Sequence, residues 1–265
     1  MFFLKLKGIL DEEGRGFPHV RFCDNNIKNY THAKKILGNT IGKMSNFEDI
    51  VLDNAPEFWD GFPYDIYNMD FCGTCLPETQ PPFSKTFEAI EKIIESHVTR
   101  NHFPFLIFLT IKALDSETNP EAKRQLKRNI DENRRVRDFA AQIDSVIPNI
   151  DAFVRDHFVD FILISIPKIL AHLAKTKCSL AIKTRAKYER PGYRGNRYCI
   201  AKFVFKFTKR PRRTNLSVSD ENYKSNIASI MTLSNVLTID AASATPDVTT
   251  SHNELKDYMR TRESL

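Results

Sequence analysis

Nine residues from Phe103 to Ile111, FPFLIFLTI, form an almost unbroken apolar run. A run of this length without polar alternation is typical of a strand that is covered on both faces. Such strands occur in parallel sheets, where the connecting elements are helices. The run therefore predicts a parallel sheet with helical crossovers.

The sequence before this run alternates between strand-like and helix-like patterns. Short apolar runs that end near an acid predict three strands, which are Phe17–Cys23, Phe47–Asn54 and Tyr64–Asp70. Helical patterns follow them over Asn29–Leu37, from Ala55 onward, and over Phe83–His97. This alternation predicts an α/β fold with a doubly wound, mostly parallel sheet.

The second half of the chain predicts helices and then a hairpin. Asn119–Ile147 and Asp151–Leu173 have helical patterns, and Cys178–Tyr188 and Arg197–Thr208 alternate like the strands of an antiparallel hairpin. Beyond Lys209 the sequence turns to Ser, Thr, Asn and Asp. We therefore expect an α/β domain over 1–209 and a flexible Ser/Thr-rich tail over 210–265.

Composition restricts the class of protein. The 265 residues are 42% hydrophobic and 27% charged, as in soluble globular proteins. No apolar run reaches the roughly 18 residues of a membrane span, and no secretory signal pattern is present. Five cysteines without an export signal predict reduced thiols in the cytoplasm. Cys72 and Cys75 have half of a zinc-ribbon spacing without a second pair, so we expect no metal site.

Positive charge is concentrated in one segment. Residues 179–213 carry 12 Lys and Arg against one acid, Glu189, whereas the whole chain has a net charge of +6. A dense basic segment with interspersed tyrosines indicates contact with nucleic acid, and the alternative is a solvated pair of strands with a charged edge. The candidate contacts are Lys183, Arg185, Arg190, Arg194, Arg197, Arg212 and Arg213.

Acids end three of the predicted strands. Asp24 follows the first strand, Asp53 ends the second and Asp70 ends the third. In open α/β sheets, ligands bind at the carboxyl ends of the strands, and a carboxylate can accept hydrogen bonds from both ribose hydroxyls. Acids at strand ends also cap helices and solvate turns, so each residue has this second interpretation.

The arrangement resembles the class I S-adenosylmethionine-dependent methyltransferases over residues 17–208. Asp24 corresponds to the ribose-binding acid, Asp53-Asn54-Ala55 to the adenine-side motif, and Tyr64–Gly73 to the fourth-strand motif. Asp70 and Phe71 would then lie over the reacting end of the cofactor. The predicted hairpin is similar to the reversed hairpin that ends the family's sheet.

The chain departs from this family at its first motif. The family's Gly-rich turn has its nearest counterpart at Asp11–Gly16, where only Phe17 and Pro18 precede the next strand and no helix fits between. The first motif is therefore missing or degenerate, which is what an N-terminally truncated domain would show.

The resemblance implies a methyltransferase-like protein that binds S-adenosyl-L-methionine and acts on a base of DNA or RNA. Asp70 is the candidate catalytic residue, since it could orient or deprotonate the acceptor. The first alternative is a catalytically inactive adaptor with the same fold that binds nucleic acid or protein. The second is a methyltransferase for small molecules, in which the basic segment is surface only.

Overall fold

The computed structural model of the chain describes residues 21–37, 41–53, 62–71, 74, 85–191, 197–210 and 216–239. Over these residues there are seven strands: β1 Arg21–Cys23, β2 Ile41–Lys43, β3 Ile66–Asp70, β4 Phe105–Ala113, β5 Ser179–Pro191, β6 Arg197–Thr208 and β7 Leu237–Ile239. The α-helices are α1 Ile27–Leu37, α2 Phe47–Leu52, α3 Lys85–Arg100, α4 Pro120–Arg134, α5 Arg137–Val146, α6 Ile150–Asp156, α7 Phe158–Ala174 and α8 Leu216–Met231.

The main sheet has five strands in the order β3-β4-β6-β5-β7. β3 and β4 are parallel, as are β5 and β7, whereas β6 is antiparallel to both β4 and β5. Four strands therefore run in one direction and β6 runs in the other. The predicted α/β class and the antiparallel hairpin are confirmed.

The helices that contact this sheet most extensively lie against one face. Strand register places Phe105, Phe205 and Phe207 on this face, where their side chains are fully buried. α7 is apolar nearly all round, from Phe158 to Ala174, because it packs between the sheet and the neighbouring helices α4 and α8. We call this the helix-covered face.

The doubly wound arrangement predicted above is not found in the described part of the chain. α7 and α8 make the extensive helix–strand contacts there, and both lie on the helix-covered face. The ring of His97 in α3 also stacks on Phe105 from that side, with centroids 3.7 Å apart. The opposite face, which we call the open face, carries the alternate residues of each strand, and Asn68 of β3 and Lys202 of β6 are exposed there.

β1, α1 and β2 form a separate βαβ unit, whose two strands pair in parallel. The predicted first strand is confirmed where it is described, at Arg21–Cys23, and so is the helix that follows it. The ring of Phe22 lies across Gly42 so closely that a Cβ at Gly42 would be 2.2 Å from it. A side chain at Gly42 would therefore have to displace the Phe22 ring.

The predicted strand Phe47–Asn54 is wrong, because Phe47–Leu52 is a helix. Glu48 and Asp49 in its first turn interact favourably with the helix dipole. Ile50 and Val51 are buried, and the Glu48 carboxylate accepts a bond of 2.6 Å from the Thr86 hydroxyl. A short apolar run fits a helix and a strand equally well, and here its packing against α3 decides.

The predicted tail from residue 210 is also wrong over the part that the structure describes. Leu216–Met231 forms α8, and Leu237–Ile239 joins the sheet as β7. Ile227 and Ile230 are fully buried, and the Asn226 side chain donates to the Leu180 carbonyl at 3.1 Å. The predicted domain boundary at 209 therefore moves to residue 239 or beyond, and residues 240–265 lie outside the described part.

The predicted helix from Ala55 onward lies outside the described residues, and the remaining predicted elements are confirmed where they are described. Asn119–Ile147 contains α4 and α5, and Asp151–Leu173 contains α6 and most of α7. Among the described residues no single helix is long and apolar enough to span a membrane. α6 and α7 together meet the requirements of length and composition, but they are bent by 117°.

Candidate functional site

Asp24 lies at the carboxyl end of β1, as predicted. One of its carboxylate oxygens accepts a hydrogen bond of 2.7 Å from the backbone N–H of Asn26. Asn26 in turn accepts from the backbone N–H of Lys28 at 2.9 Å, at the start of α1. Asp24 therefore forms the turn that leads into α1, which is the second interpretation of strand-end acids given above.

Asp53 does not end a strand. It is the C-cap of α2, and its backbone N–H donates to the carbonyl of Asp49 at 2.9 Å. The acid after the predicted second strand is therefore at a helix terminus, for the packing reasons given above. Asn54 and Ala55, which complete the predicted adenine-side motif, lie outside the described residues.

Asp70 ends β3, as predicted, and its side chain is exposed. It pairs with Thr110 of β4, and the next residue, Phe71, continues the ladder by donating its N–H to the Thr110 carbonyl at 2.9 Å. The Phe71 ring packs against the core. Phe71 thus anchors the chain after β3, and Asp70 is held at the carboxyl end of β3, which is the first strand in the sheet order.

The described residues do not bring the three acids to one sheet edge. Asp24 belongs to the two-stranded sheet, Asp53 to a helix end and Asp70 to the five-stranded sheet. Three acids in register along one sheet, as the resemblance implies, are therefore not present in this part of the chain.

A cavity of about 260 Å³ lies at the carboxyl end of β4. Its walls come from the end of β4, the first turn of α7 and the hairpin, and they are Ala113, Leu114, Asp115, Phe158, Val159, Glu189, Tyr198 and Cys199. Burial, followed by the nearby Glu189 carboxylate, raises the pKa of Cys199, which keeps this thiol protonated. Among the described residues, no group of three or more His, Cys, Asp and Glu could hold a metal ion.

Arg185, a predicted nucleic-acid contact, is buried and has only 4% of its surface exposed. Its guanidinium donates to the carbonyls of Ser229, Ile230 and Thr232 at 2.7, 2.6 and 2.9 Å. These carbonyls lie at the C-terminal end of α8, where a cation is favourable. The structure thus removes Arg185 from the candidate interface.

The other predicted contacts are described only in part. Lys183 is exposed beside the irregularity in the β5–β6 pairing. Arg190 and Arg197 belong to the ends of β5 and β6, and their backbones are paired. Arg194, Arg212 and Arg213 lie outside the described residues.

Two lysines and two tyrosines form a cluster on the open face, which we call the lysine–tyrosine cluster. The ammonium of Lys112 lies 4.8 Å from the centre of the Tyr198 ring. The ammonium of Lys202 lies 5.3 Å from the centre of the Tyr188 ring. Both distances suit cation–π interaction.

Strand register relates the lysine–tyrosine cluster to Asp70. Asp70 pairs with Thr110, and Thr110 pairs with Lys202. In the next row, Lys112 pairs with Ile200, which also pairs with Tyr188. Neighbouring strands are about 4.8 Å apart, so Asp70 and Lys202 are two strand spacings, about 10 Å, apart on the same face.

Lys112 and Lys202 were not among the nucleic-acid contacts predicted from the sequence. The signal for Lys202 is the alternation in β6, where Tyr198, Ile200 and Lys202 follow one another at every second position, and the signal for Lys112 is that it is the charged residue of the apolar strand β4. The alternation in β6 separates Lys202 from the buried Ala201 and Phe203. Applied strand by strand, it would also have identified Arg185 as a residue on the side opposite to Lys202.

Comparison with known proteins gives one family. Residues 37–156, which span the end of α1 to the end of α6, match the model of the PP_RS20740-like family. The family's name states no activity. No curated protein and no solved structure matches the chain. The chain is therefore similar to the PP_RS20740-like family over somewhat less than half of its length, and the hairpin, α8 and the lysine–tyrosine cluster's three hairpin residues lie outside this match.

Proposed function

We propose that this protein is a class I methyltransferase-like protein that uses S-adenosyl-L-methionine and acts on a base in nucleic acid. The observation that carries the proposal is the position of β6, which runs in reverse between β4 and β5. A reversed hairpin at the end of the sheet is what the resemblance to this family implies. Asp70 at the carboxyl end of β3 agrees with the fourth-strand motif of the same resemblance.

The cavity beside the carboxyl end of β4 supports the choice of substrate. Ligands of open α/β sheets bind at this end of the strands, and enzymes that modify a base in nucleic acid hold it in a pocket outside the base stack. Tyr198 both lines the cavity and belongs to the lysine–tyrosine cluster. Asp70 would orient or deprotonate the acceptor group.

The cofactor would supply the methyl group, but the described residues do not bring the expected acids together to hold it. A ribose-binding carboxylate is required, but Asp24 lies in another sheet and already closes the turn before α1. We therefore derive no step of methyl transfer from the described residues. Free thiols at Cys23, Cys178 and Cys199 suit a reducing compartment, and a cytoplasmic location is part of the proposal.

A second candidate function is a catalytically inactive adaptor with the same fold. The separation of Asp24, Asp53 and Asp70 favours this candidate. Such an adaptor would use the basic open face for binding and would not bind the cofactor.

Calorimetric titration with S-adenosylhomocysteine separates these two functions. If the protein is the proposed enzyme, we expect saturable binding of S-adenosylhomocysteine. Asp24→Ala and Asp70→Ala should each weaken this binding at least tenfold. Asp24→Asn retains an oxygen for the Asn26 N–H and therefore separates loss of the turn from loss of a ligand contact. Asp156→Ala, at an exposed acid on α6 that pairs with the adjacent Arg155, is the matched control. Absence of binding to the folded wild-type chain would reject the enzyme and retain the adaptor.

A further inference from the structure

We infer that the open face binds single-stranded nucleic acid, with Tyr188 and Tyr198 stacking on bases and Lys202 contacting phosphates. The inference deepens the proposed function, on which its substrate class rests. It assigns the interface to a sheet face around the lysine–tyrosine cluster, with Arg185 excluded from it.

Charge on the open face selects an anionic partner. Lys202 is exposed and forms no ion pair with another described residue, whereas Lys112 pairs with Glu117 at 2.5 Å. Among the described strand residues of the open face, Asp70 is the single acid. An uncompensated lysine on a sheet creates a positive potential that attracts phosphate.

A second surface with basic side chains differs from the open face in how its charges are paired. A groove of about 510 Å³ between α4 and α6 is lined by four basic side chains, but each of them has an acidic partner. Lys123 pairs with Asp115 at 2.8 Å and Lys127 pairs with Asp151 at 2.7 Å. The two arginines of the groove pair with Glu121 and Asp156. This groove is neutralised internally, whereas on the open face Lys112 has an acidic partner, Glu117, and Lys202 has none among the described residues.

The two tyrosine rings favour a single strand. Tyr188 and Tyr198 are half-buried, and a lysine ammonium lies over one face of each ring. Tyr188 lies opposite Ile200, two positions from Tyr198, so the two residues are diagonal neighbours whose backbones are about 7–8 Å apart. Unpaired bases can stack on such rings and displace the lysines toward phosphates, whereas a duplex keeps its bases stacked inside.

The path of the strand leads to the candidate site. Asp70 shares a row of the sheet with Lys202, and Tyr198 lies at the rim of the cavity. A strand bound across the lysine–tyrosine cluster therefore passes the candidate catalytic acid, whereas Ala113, Glu189 and Cys199 of the cavity wall lie on the helix-covered side by register.

The test is fluorescence anisotropy of the full chain with labelled 20-nucleotide oligo(U), oligo(dT) and a duplex of mixed sequence, at several salt concentrations. We expect either or both single strands to bind more tightly than the duplex. Tyr188→Ala and Tyr198→Ala should each weaken binding about tenfold, whereas Tyr198→Phe retains the stacking ring and the affinity. Lys202→Glu should weaken binding and reduce its salt dependence. Lys28→Glu, an equal charge change on the exposed surface of α1, is the matched control.

Three results would overturn the inference. Binding that survives the tyrosine and lysine variants would place the nucleic acid elsewhere and leave the proposed function intact. A preference for the duplex would reject the single-stranded partner. Absence of binding to all three probes would reject both the inference and the nucleic-acid part of the proposed function, whereas titration with S-adenosylhomocysteine tests the cofactor independently.

Discussion

His97 is a fully buried histidine between α3 and the sheet. Its Nδ1 lies 2.5 Å from the carbonyl oxygen of His102, and its Nε2 lies 3.1 Å from the Tyr67 hydroxyl. A carbonyl only accepts, so Nδ1 donates and Nε2 accepts from the hydroxyl, which describes a neutral ring. Burial lowers the pKa of His97 to about 4.

This histidine predicts a loss of stability in mild acid. In the unfolded chain a histidine takes up a proton near pH 6.5, whereas His97 in the folded chain does so near pH 4. The unfolded state therefore binds more protons within this window, and the free energy of unfolding falls as the pH decreases from 6.5 to 4. The loss is roughly 3 kcal/mol. Urea denaturation between pH 4 and 7.5 measures it.

His97→Gln is the variant that identifies the source of this pH dependence. It lacks the titrating ring, so its unfolding free energy should change less than that of the wild type over the same window. Equal slopes for the two proteins would show that carboxylates, not His97, cause the loss.

At the scale of elements, the end of α8 depends on a side chain from a strand. The guanidinium of Arg185 in β5 holds the carbonyls of Ser229, Ile230 and Thr232. The three donors of a lysine ammonium share one nitrogen, so lysine cannot reproduce the planar fork in which two guanidinium nitrogens reach these carbonyls. The contact therefore joins α8 to the sheet through one residue.

Arg185→Lys should lower the free energy of unfolding by about 2–4 kcal/mol, because buried carbonyls lose a charged donor. Lys183→Met, at the exposed position two residues earlier, should change it by less than about 0.5 kcal/mol. Chemical denaturation of both variants measures the difference. An unchanged free energy of unfolding for Arg185→Lys would mean that these hydrogen bonds add little to the attachment of α8.

The elements also show what local sequence can and cannot predict. The β5–β6 hairpin was predictable because its apolar residues alternate over two long stretches. α2 was not, because a six-residue apolar run carries no distinct period. α8 was missed since its core residues Tyr223, Ile227 and Ile230 are separated by polar residues that suggest a tail.

At the scale of the whole molecule, the C-terminal elements complete the core. α8 packs on α7, α5 and β5, and Ile227 and Ile230 are fully buried in it. Removal of these residues would expose the apolar surfaces that they cover. The folded unit therefore extends well past the predicted boundary at 209.

A chain that ends at Arg210 should not unfold cooperatively on heating and should bind a dye for exposed apolar surface. A milder change tests the same point within the full chain: Ile227→Ala should lower the free energy of unfolding by about 2–5 kcal/mol. Leu237→Ala, at an apolar residue that is 58% exposed, should have an effect below about 0.5 kcal/mol. Cooperative unfolding of the shortened chain would restore the prediction of a dispensable tail.

The candidate site, like the elements, was predictable where it depends on residues close together in the chain and not where it depends on distant ones. Asp70 could be placed at a strand end because Tyr64–Asp70 is a clear apolar run followed by a turn. The separation of Asp24 and Asp53 from Asp70 could not be predicted from the sequence, because this separation depends on which strands pair. The basic segment was visible in the sequence, but its division into an exposed Lys183 and a buried Arg185 required the helix that covers one face.

The sequence by itself determined the α/β class, the run of strands and helices through the central part, the hairpin and the position of the positive charge. These features follow from periodicity and composition within short windows, where neighbouring residues decide the local conformation. Only the tertiary structure decided that Phe47–Leu52 is a helix, that α8 and β7 belong to the core and that the described helices in contact with the main sheet lie against one of its faces. Each of these depends on contacts between segments far apart in the chain, because burial against a partner outweighs the small differences in local propensity.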